Sequence, residues 1–291
     1  MKKKWWVLGT SLGLGAVLLW GAGLPVQADD SGVAVYQSAM KQMKAESSLT
    51  AHVKLDLIDN GKPLFTMSSV AKVDREKQEA SVSGSWEDLV GDQTEDFQVF
   101  REDGKVIFKK AESDTFSVFE QKGWGKKRFE GVSGEPPVIV EQVRNIMLGN
   151  IREHTAVETM PDGSKQVSLQ VAEQELPAFA NKAATMFFTK MAEHAQDAAS
   201  GKHLPASLPQ LQQDIRVERL KLNATIDRNN RIERQSAEIH VAGSDAAGKE
   251  HQLTLKLDVT LSDLSQTQVE HVDLTGKKVE HVEGWHRPAW K

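Results

Sequence analysis

Strict alternation of apolar and polar residues governs most of this chain. Ala51, Val53, Leu55 and Leu57 are separated by His52, Lys54 and Asp56. A period of two puts the apolar set on one face of a β-strand. The pattern returns at Phe65, Met67, Ala71 and Val73, then at Ala80, Val82, Gly84 and Trp86. Shorter versions follow at Phe97 and Val99, at Val106 and Phe108, and at Phe116 and Val118. Asn60-Gly61 and Asp103-Gly104 punctuate the runs. Both pairs tolerate positive φ and favour two-residue hairpins. Turns at 74–77 and 112–114 and a polar loop at 87–95 complete the punctuation. Residues 51–118 therefore predict a six-stranded up-and-down meander. Another hairpin is predicted at 155–160 and 167–171, around Pro161-Asp162-Gly163. The last third predicts strands at 215–226, 232–241 and 253–261, with a turn at 227–230 and a loop at 243–249. The apolar phase shifts near Leu220, which predicts a bulge in the first of these.

Three stretches switch to helical spacing. Ser31 suits an N-cap, and Val33, Tyr36, Met40 and Met43 form one face of a helix ending near Glu46. Pro136-Pro137 precedes Val138, Val140, Val143, Ile146 and Met147, and Gly149 suits a helix stop. The third and longest stretch is 176–198. Leu176, Phe179, Ala180, Ala183, Met186, Phe187, Met191, Ala195 and Ala198 share one face. Asn181, Lys182, Thr185, Thr189, Glu193 and Asp197 fall mostly on the other. Residues 201–209 form a linker with two prolines. The total is about eleven strands and three helices, an α+β, mainly β chain. An oily helix among antiparallel strands needs an apolar sheet face to lie on. One domain is expected over 29–275, with a less patterned tail at 276–291 that ends in Trp285 and Trp290.

The first 28 residues change the compartment. Lys2, Lys3 and Lys4 precede an apolar stretch over 5–24, and Val26 and Ala28 fit the small-residue rule of a signal-peptidase site. This predicts an exported protein. The alternative is a retained membrane anchor, because the stretch is just long enough to span. Overall the chain of 291 residues is 39% hydrophobic and 26% charged, ordinary globular values. Without residues 1–28, which carry three lysines and no acids, 33 basic and 41 acidic residues remain, a net charge of -8. That balance argues against nucleic acid and against simple adhesion to anionic lipid. The absence of cysteine excludes disulfides, thiolate metal sites, a cysteine nucleophile and a lipid-modified cysteine.

Candidate chemistry is sparse. The sequence holds no phosphate-binding glycine loop and no HExxH helix. Glu87-Asp88 and Glu95-Asp96 sit in predicted turns, where carboxylates are surface charge far more often than acid/base machinery. No enzyme and no cofactor is expected. Val269-Glu270-His271-Val272 recurs as Val279-Glu280-His281-Val282. Two readings stay open, a histidine pair on adjacent strands or a solvated strand face. Trp124, Lys126, Lys127, Arg128 and Phe129 form a basic-aromatic patch, suited either to transient membrane contact or to a loop with a packed tryptophan.

The order of helix, six strands, helix, hairpin, helix and three strands resembles the LolA/LppX-like superfamily of bacterial envelope lipoprotein and lipid carriers. The resemblance covers about 31–272. It includes the phrase Asp227-Arg228-Asn229-Asn230-Arg231-Ile232, followed by the Gly243 loop and the strand at 253–261. It implies an antiparallel half-open barrel of about eleven strands, with helices covering the concave face. It also implies a hydrophobic ligand or lipidated partner. LppX-type members carry a lipidated cysteine, which this chain lacks. Ligand-lining candidates are Leu55, Leu57, Leu255 and Leu257 on strands, with Ile146, Met147, Phe179, Met186, Phe187 and Met191 on helices. The helix at 176–198 either lids a cavity of this kind or fills the barrel as core. The pattern is silent on oligomeric state.

Overall fold

The computed structural model describes residues 31–110, 114–120, 154–176, 181, 184–185 and 209–282. Several expectations lie outside these residues. They are the leader at 1–28, the basic-aromatic patch at 124–129, and the helix at 138–148 with Ile146 and Met147. Most of 176–198, including Phe179, Met186, Phe187 and Met191, also lies outside, as do Trp285 and Trp290.

Turn chemistry sets the first six strands. Asn60 and Gly61 take φ of 50° and 78°, and Asp103 and Gly104 take 50° and 69°. These are the left-handed conformations that tight hairpins require. They join β1 (Ser48–Asp59) to β2 (Lys62–Asp74), and β4 (Gln93–Glu102) to β5 (Lys105–Lys110). Between the pairs lies β3 (Glu79–Asp88), and β6 (Thr115–Glu120) follows. The loop expected at 87–95 is shorter in the structure, because β3 runs to Asp88 and β4 starts at Gln93. The hairpin of β7 (Thr155–Thr159) and β8 (Lys165–Ala172) comes next, then β9 (Gln213–Ile226), β10 (Ile232–Ser244) and β11 (Glu250–Ser262).

These are the eleven strands the alternation predicts, and all their pairings are antiparallel. A twelfth strand, β12 (Lys278–Val282), pairs in parallel with β6. The order across the sheet is β12-β6-β5-β4-β3-β2-β1-β11-β10-β9-β8-β7. The sheet is not closed, since β12 and β7 are its two edges. The fold is α+β, mainly β, a half-open barrel. Pairing of β11 with β1 closes the longest loop in the chain and makes these two strands the middle of the sheet.

The predicted bulge is present. His240 pairs with Arg219, but the next residue, Val241, pairs with Val217. Glu218 is the extra residue. The skipped position restores the apolar phase, so Ile215 and Val217 face the same side as Leu220 and Leu222.

A helix covers part of one face, here the inner face. α1 (Gly32–Ala45) is capped by Ser31, whose hydroxyl accepts from the Ala34 N–H at 3.3 Å. It lies against β7, β8, β9 and β10. Tyr36, Ala39, Met40 and Met43 pack into one buried cluster with Leu49, Ala51, Val53, Val82, Val99, Ile226, Ile232 and Val259. Burial of Tyr36 raises its phenol pKa, and its oxygen accepts from Gln235 Nε2 at 2.9 Å. At the other end, Arg75 Nη1 donates to the Met43 and Glu46 carbonyls at 2.7 and 2.5 Å. It thereby satisfies acceptors that a helix C-terminus leaves open. The Glu46 carboxylate, 5% exposed, accepts the Ser265 hydroxyl at 2.6 Å and forms an ion pair with Arg231, whose Nε lies 3.1 Å away without a hydrogen bond. This cluster ties the end of α1 to the β9–β10 turn and to the chain leaving β11. No helix among the described residues is long and apolar enough to cross a membrane.

Candidate functional site

Register places the predicted strand residues side by side on the inner face. Met67, Leu55, Leu257, Ala237 and Leu222 form one row across β2, β1, β11, β10 and β9. Phe65, Leu57, Leu255, Ile239 and Leu220 form the next. The structure thus brings Leu55, Leu57, Leu255 and Leu257 together. Phe65 stacks on Trp86 with ring centroids 6.2 Å apart, extending the tract towards β3.

Burial is uneven along this face. Rows near α1 are closed, with Ala51 at 0% and Val259 at 1% exposure. Leu55 and Leu57 are also buried. By contrast Leu255, Leu257, Leu220, Ile239, Phe65 and Trp86 are half-buried. A continuous apolar tract therefore lies beside a close-packed core without being sealed as tightly. The inner row Val53, Ser69, Gly84 and Phe97 adds a seam of small residues. The Ser69 hydroxyl is buried there without a hydrogen-bond partner.

The helical residues Asn181 and Ala184 lie over this face. Ala184 and Leu176 pack on the cluster of Leu57, Leu211, Ile215, Val217, Val241 and Leu253. Asn181 Oδ1 accepts the Val217 N–H at 2.8 Å, beside the β9 bulge. Spacing puts Asn181 opposite the apolar stripe, yet it faces the sheet. The reason is local: a bulge leaves a strand N–H outside the ladder, and a carboxamide can take it. Sequence reasoning missed this contact, and the phase change at Leu220 was the signal for it.

Other candidate groups separate. The two histidine repeats do different work. Glu270 pairs with Lys72 at 2.6 Å, and His271 lies 3.0 Å from Glu102 and 3.8 Å from Glu79. Glu280 and His281 instead lie in β12. His251 is buried, with Nδ1 2.8 Å from Asp59 and Nε2 3.5 Å from Asp245. The Asp245 carboxyl is held below its ordinary range, first by the Lys249 N–H and then by His251 and the Ala247 N–H. Among the described residues no three His, Cys, Asp or Glu side chains converge as metal ligands. On the outer face a shallow depression of about 430 Å³ is lined by His52, Lys54, Ser68, Ser83, Ser85 and Asp258 among others. Two of its charges are paired, Lys54 with Asp56 at 3.2 Å and Asp258 with Arg234 through two nitrogens.

No family model matches the chain, and no curated protein matches its sequence. Several solved structures are similar at a low level. One is an uncharacterized conserved protein from Thermus thermophilus, at 8% identity and a TM-score of 0.28, covering 85% of this chain and 96% of that one. Another is a DUF1329 family protein from Desulfovibrio piger, at 12% identity and 0.24, covering 84% and 97%. The ywiB protein from Bacillus subtilis matches at 10% identity and 0.16, covering 74% and 92%. Likeness of this degree carries no argument about what the chain does.

Proposed function

We propose that this chain is an exported cell-envelope protein that holds a hydrophobic ligand non-covalently, as a carrier or chaperone. The ligand class is a lipid, an acyl chain or a lipidated peptide. The supporting observation is the half-buried apolar tract of Leu255, Leu257, Ile239, Phe65 and Trp86, which continues the close-packed inner face. Apolar surface left short of full burial gains about 25 cal/mol per Å² when a ligand covers it. An acyl chain adds about 0.8 kcal/mol for each methylene so buried. The tract itself is apolar, with Asp88 and Glu95 as the register partners of Phe65 and Trp86 at its edge, so its middle suits the tail of a lipid. The leader with Lys2, Lys3 and Lys4 supports export. The resemblance to LolA/LppX-like carriers agrees with this reading in fold and in ligand class.

Native mass spectrometry of the mature chain from its own host tests the proposal, paired with uptake of a fluorescent fatty acid. Co-purified lipid and saturable uptake support it. A ligand-free mass with no uptake rejects it in favour of a filled barrel that acts as a protein-binding or structural envelope module.

A further inference from the structure

Beyond β11 the chain crosses the outer face of the sheet. Thr50, Lys72, Ser81, Phe100, Ile107 and Val118 form one row over β1 to β6 on that face. Residues 263–277 meet this row in order. Thr267 Oγ1 lies 2.9 Å from Thr50 Oγ1, and its N–H donates to Ser48 Oγ at 3.1 Å. Glu270 pairs with Lys72, and its N–H donates to Ser81 Oγ at 3.1 Å. Val272, Leu274 and Val279 then pack on Phe100, Ile107, Phe116 and Val118. Asp273 takes the Thr275 N–H, Gly276 adopts φ 71°, and the chain reverses into β12 along β6.

The cover and what it covers differ sharply. Phe100, Ile107, Phe116 and Val118 are 2–6% exposed beneath the strap. No residue from 263 to 281 is itself fully buried. The start of the strap is fixed, since the Ser265 N–H donates to the Ser48 carbonyl and its hydroxyl to Glu46. From Gln268 onwards the strap is held by half-exposed polar pairs, an apolar cluster and a parallel strand pairing.

We propose that the β6 edge, with Phe100, Ile107, Phe116 and Val118, is a strand-acceptor groove. The chain's own residues 268–282 fill it, and the same residues of a second copy fill it by exchange. The groove needs an extended segment with apolar side chains at the positions of Val272, Leu274 and Val279, paired in parallel. Another copy supplies this identically. Exchange keeps every contact and costs only association entropy and movement of the segment after Thr267. An unfilled β6 edge would expose strand hydrogen-bonding groups beside an apolar patch, the template that strand addition uses. The inference is independent of what the inner face holds.

The natural chain has no cysteine, which makes an engineered disulfide unambiguous. Ser117 and Glu280 are register partners across β6 and β12. The mature chain carrying Ser117→Cys and Glu280→Cys is oxidised after incubation at low and high concentration, and read on a non-reducing gel. Exchange predicts an internal crosslink at low concentration and a covalent dimer that grows with concentration. It also predicts that excess synthetic peptide of residues 268–282 suppresses the dimer. Adding Leu274→Asp and Val279→Asp to the double-cysteine chain removes the dimer, with circular dichroism showing the sheet intact. Internal crosslinks at every concentration overturn the proposal, and so does a dimer that excess peptide leaves unchanged.

Discussion

Leu257→Ala separates a ligand-holding face from a solid core. Leu257 stands opposite Leu55 across β1 and β11, but Leu55 is 8% exposed while Leu257 is half-buried. A fully buried Leu→Ala change costs about 3–5 kcal/mol, from lost transfer energy and the cavity left behind. Leu55→Ala should cost about 3 kcal/mol and Leu257→Ala about 1.5 kcal/mol in the ligand-free protein. A bound acyl chain would add a second cost. Trimming one contact side chain should weaken the ligand about tenfold, or about 1.4 kcal/mol. At a ligand concentration of about one hundred times the native Kd, the native chain gains about 2.7 kcal/mol. The variant then sits at about ten times its own Kd and gains about 1.4 kcal/mol. The stability gap between the two should therefore widen from about 1.5 to about 2.8 kcal/mol when ligand is present. Urea unfolding with and without a medium-chain fatty acid measures both gaps. A gap that stays constant, with native stability unmoved by fatty acid, means that Leu257 touches no ligand.

Four further substitutions each have a definite expected outcome. Glu46→Gln keeps the shape of a buried hub and should cost about 1.5 kcal/mol in urea unfolding, because the charge facing the buried Arg231 Nε is lost while the outer part of that side chain, 39% exposed overall, stays hydrated. Arg231→Met strands the buried carboxylate and should cost about 3 kcal/mol, so the opposite order would refute the account of this pair. Gly84→Ala should destabilise by about 3 kcal/mol, since a methyl there overlaps the Ser68 carbonyl oxygen and comes within 2.7 Å of Ser69 Cβ; a neutral melting curve would show that the β2–β3 seam is loose. Glu238 is held below its ordinary 4.5, chiefly by the hydrogen bond from His240 and then by the charges of His240, Lys221 and Lys256. A depressed folded pKa gives stability that is complete above the ordinary value and lost as pH falls through the folded one. Glu238→Gln should therefore flatten the acid limb of the urea midpoint below that value and leave its neutral-to-alkaline shape unchanged.

The eleven antiparallel strands were legible because each buries one face, so their side chains alternate with period two. Asn60-Gly61 and Asp103-Gly104 fixed the hairpins for a reason visible in the backbone, φ above zero at all four residues. Leu55, Leu57, Leu255 and Leu257 followed from the same alternation, because the parity that buries one of them aligns all four on the inner face. Asn181 was not legible, because its partner is a backbone N–H that only the Glu218 bulge places outside the ladder. No pattern in Asn181's own neighbourhood carries that information.

The strap was missed for a different reason, and the omission can be traced to particular residues. Where a strand is covered on both faces, alternation gives way to a continuous apolar run. Val106-Ile107-Phe108 is such a run, as is Val118-Phe119, and Val99-Phe100 interrupts the alternation of β4. Reading Val106 and Phe108 as the buried set leaves Ile107 pointing to water. In the structure Ile107 is 2% exposed and lies under the strap, on the face opposite its neighbours. The run therefore announced a second covering layer over β4, β5 and β6. On β1 and β2 the outer residues Thr50 and Lys72 are polar, and the strap meets them through polar contacts. The strap's own residues could not give it away. A segment that covers without being buried has no need of periodicity, and only the strands beneath it record where it lies.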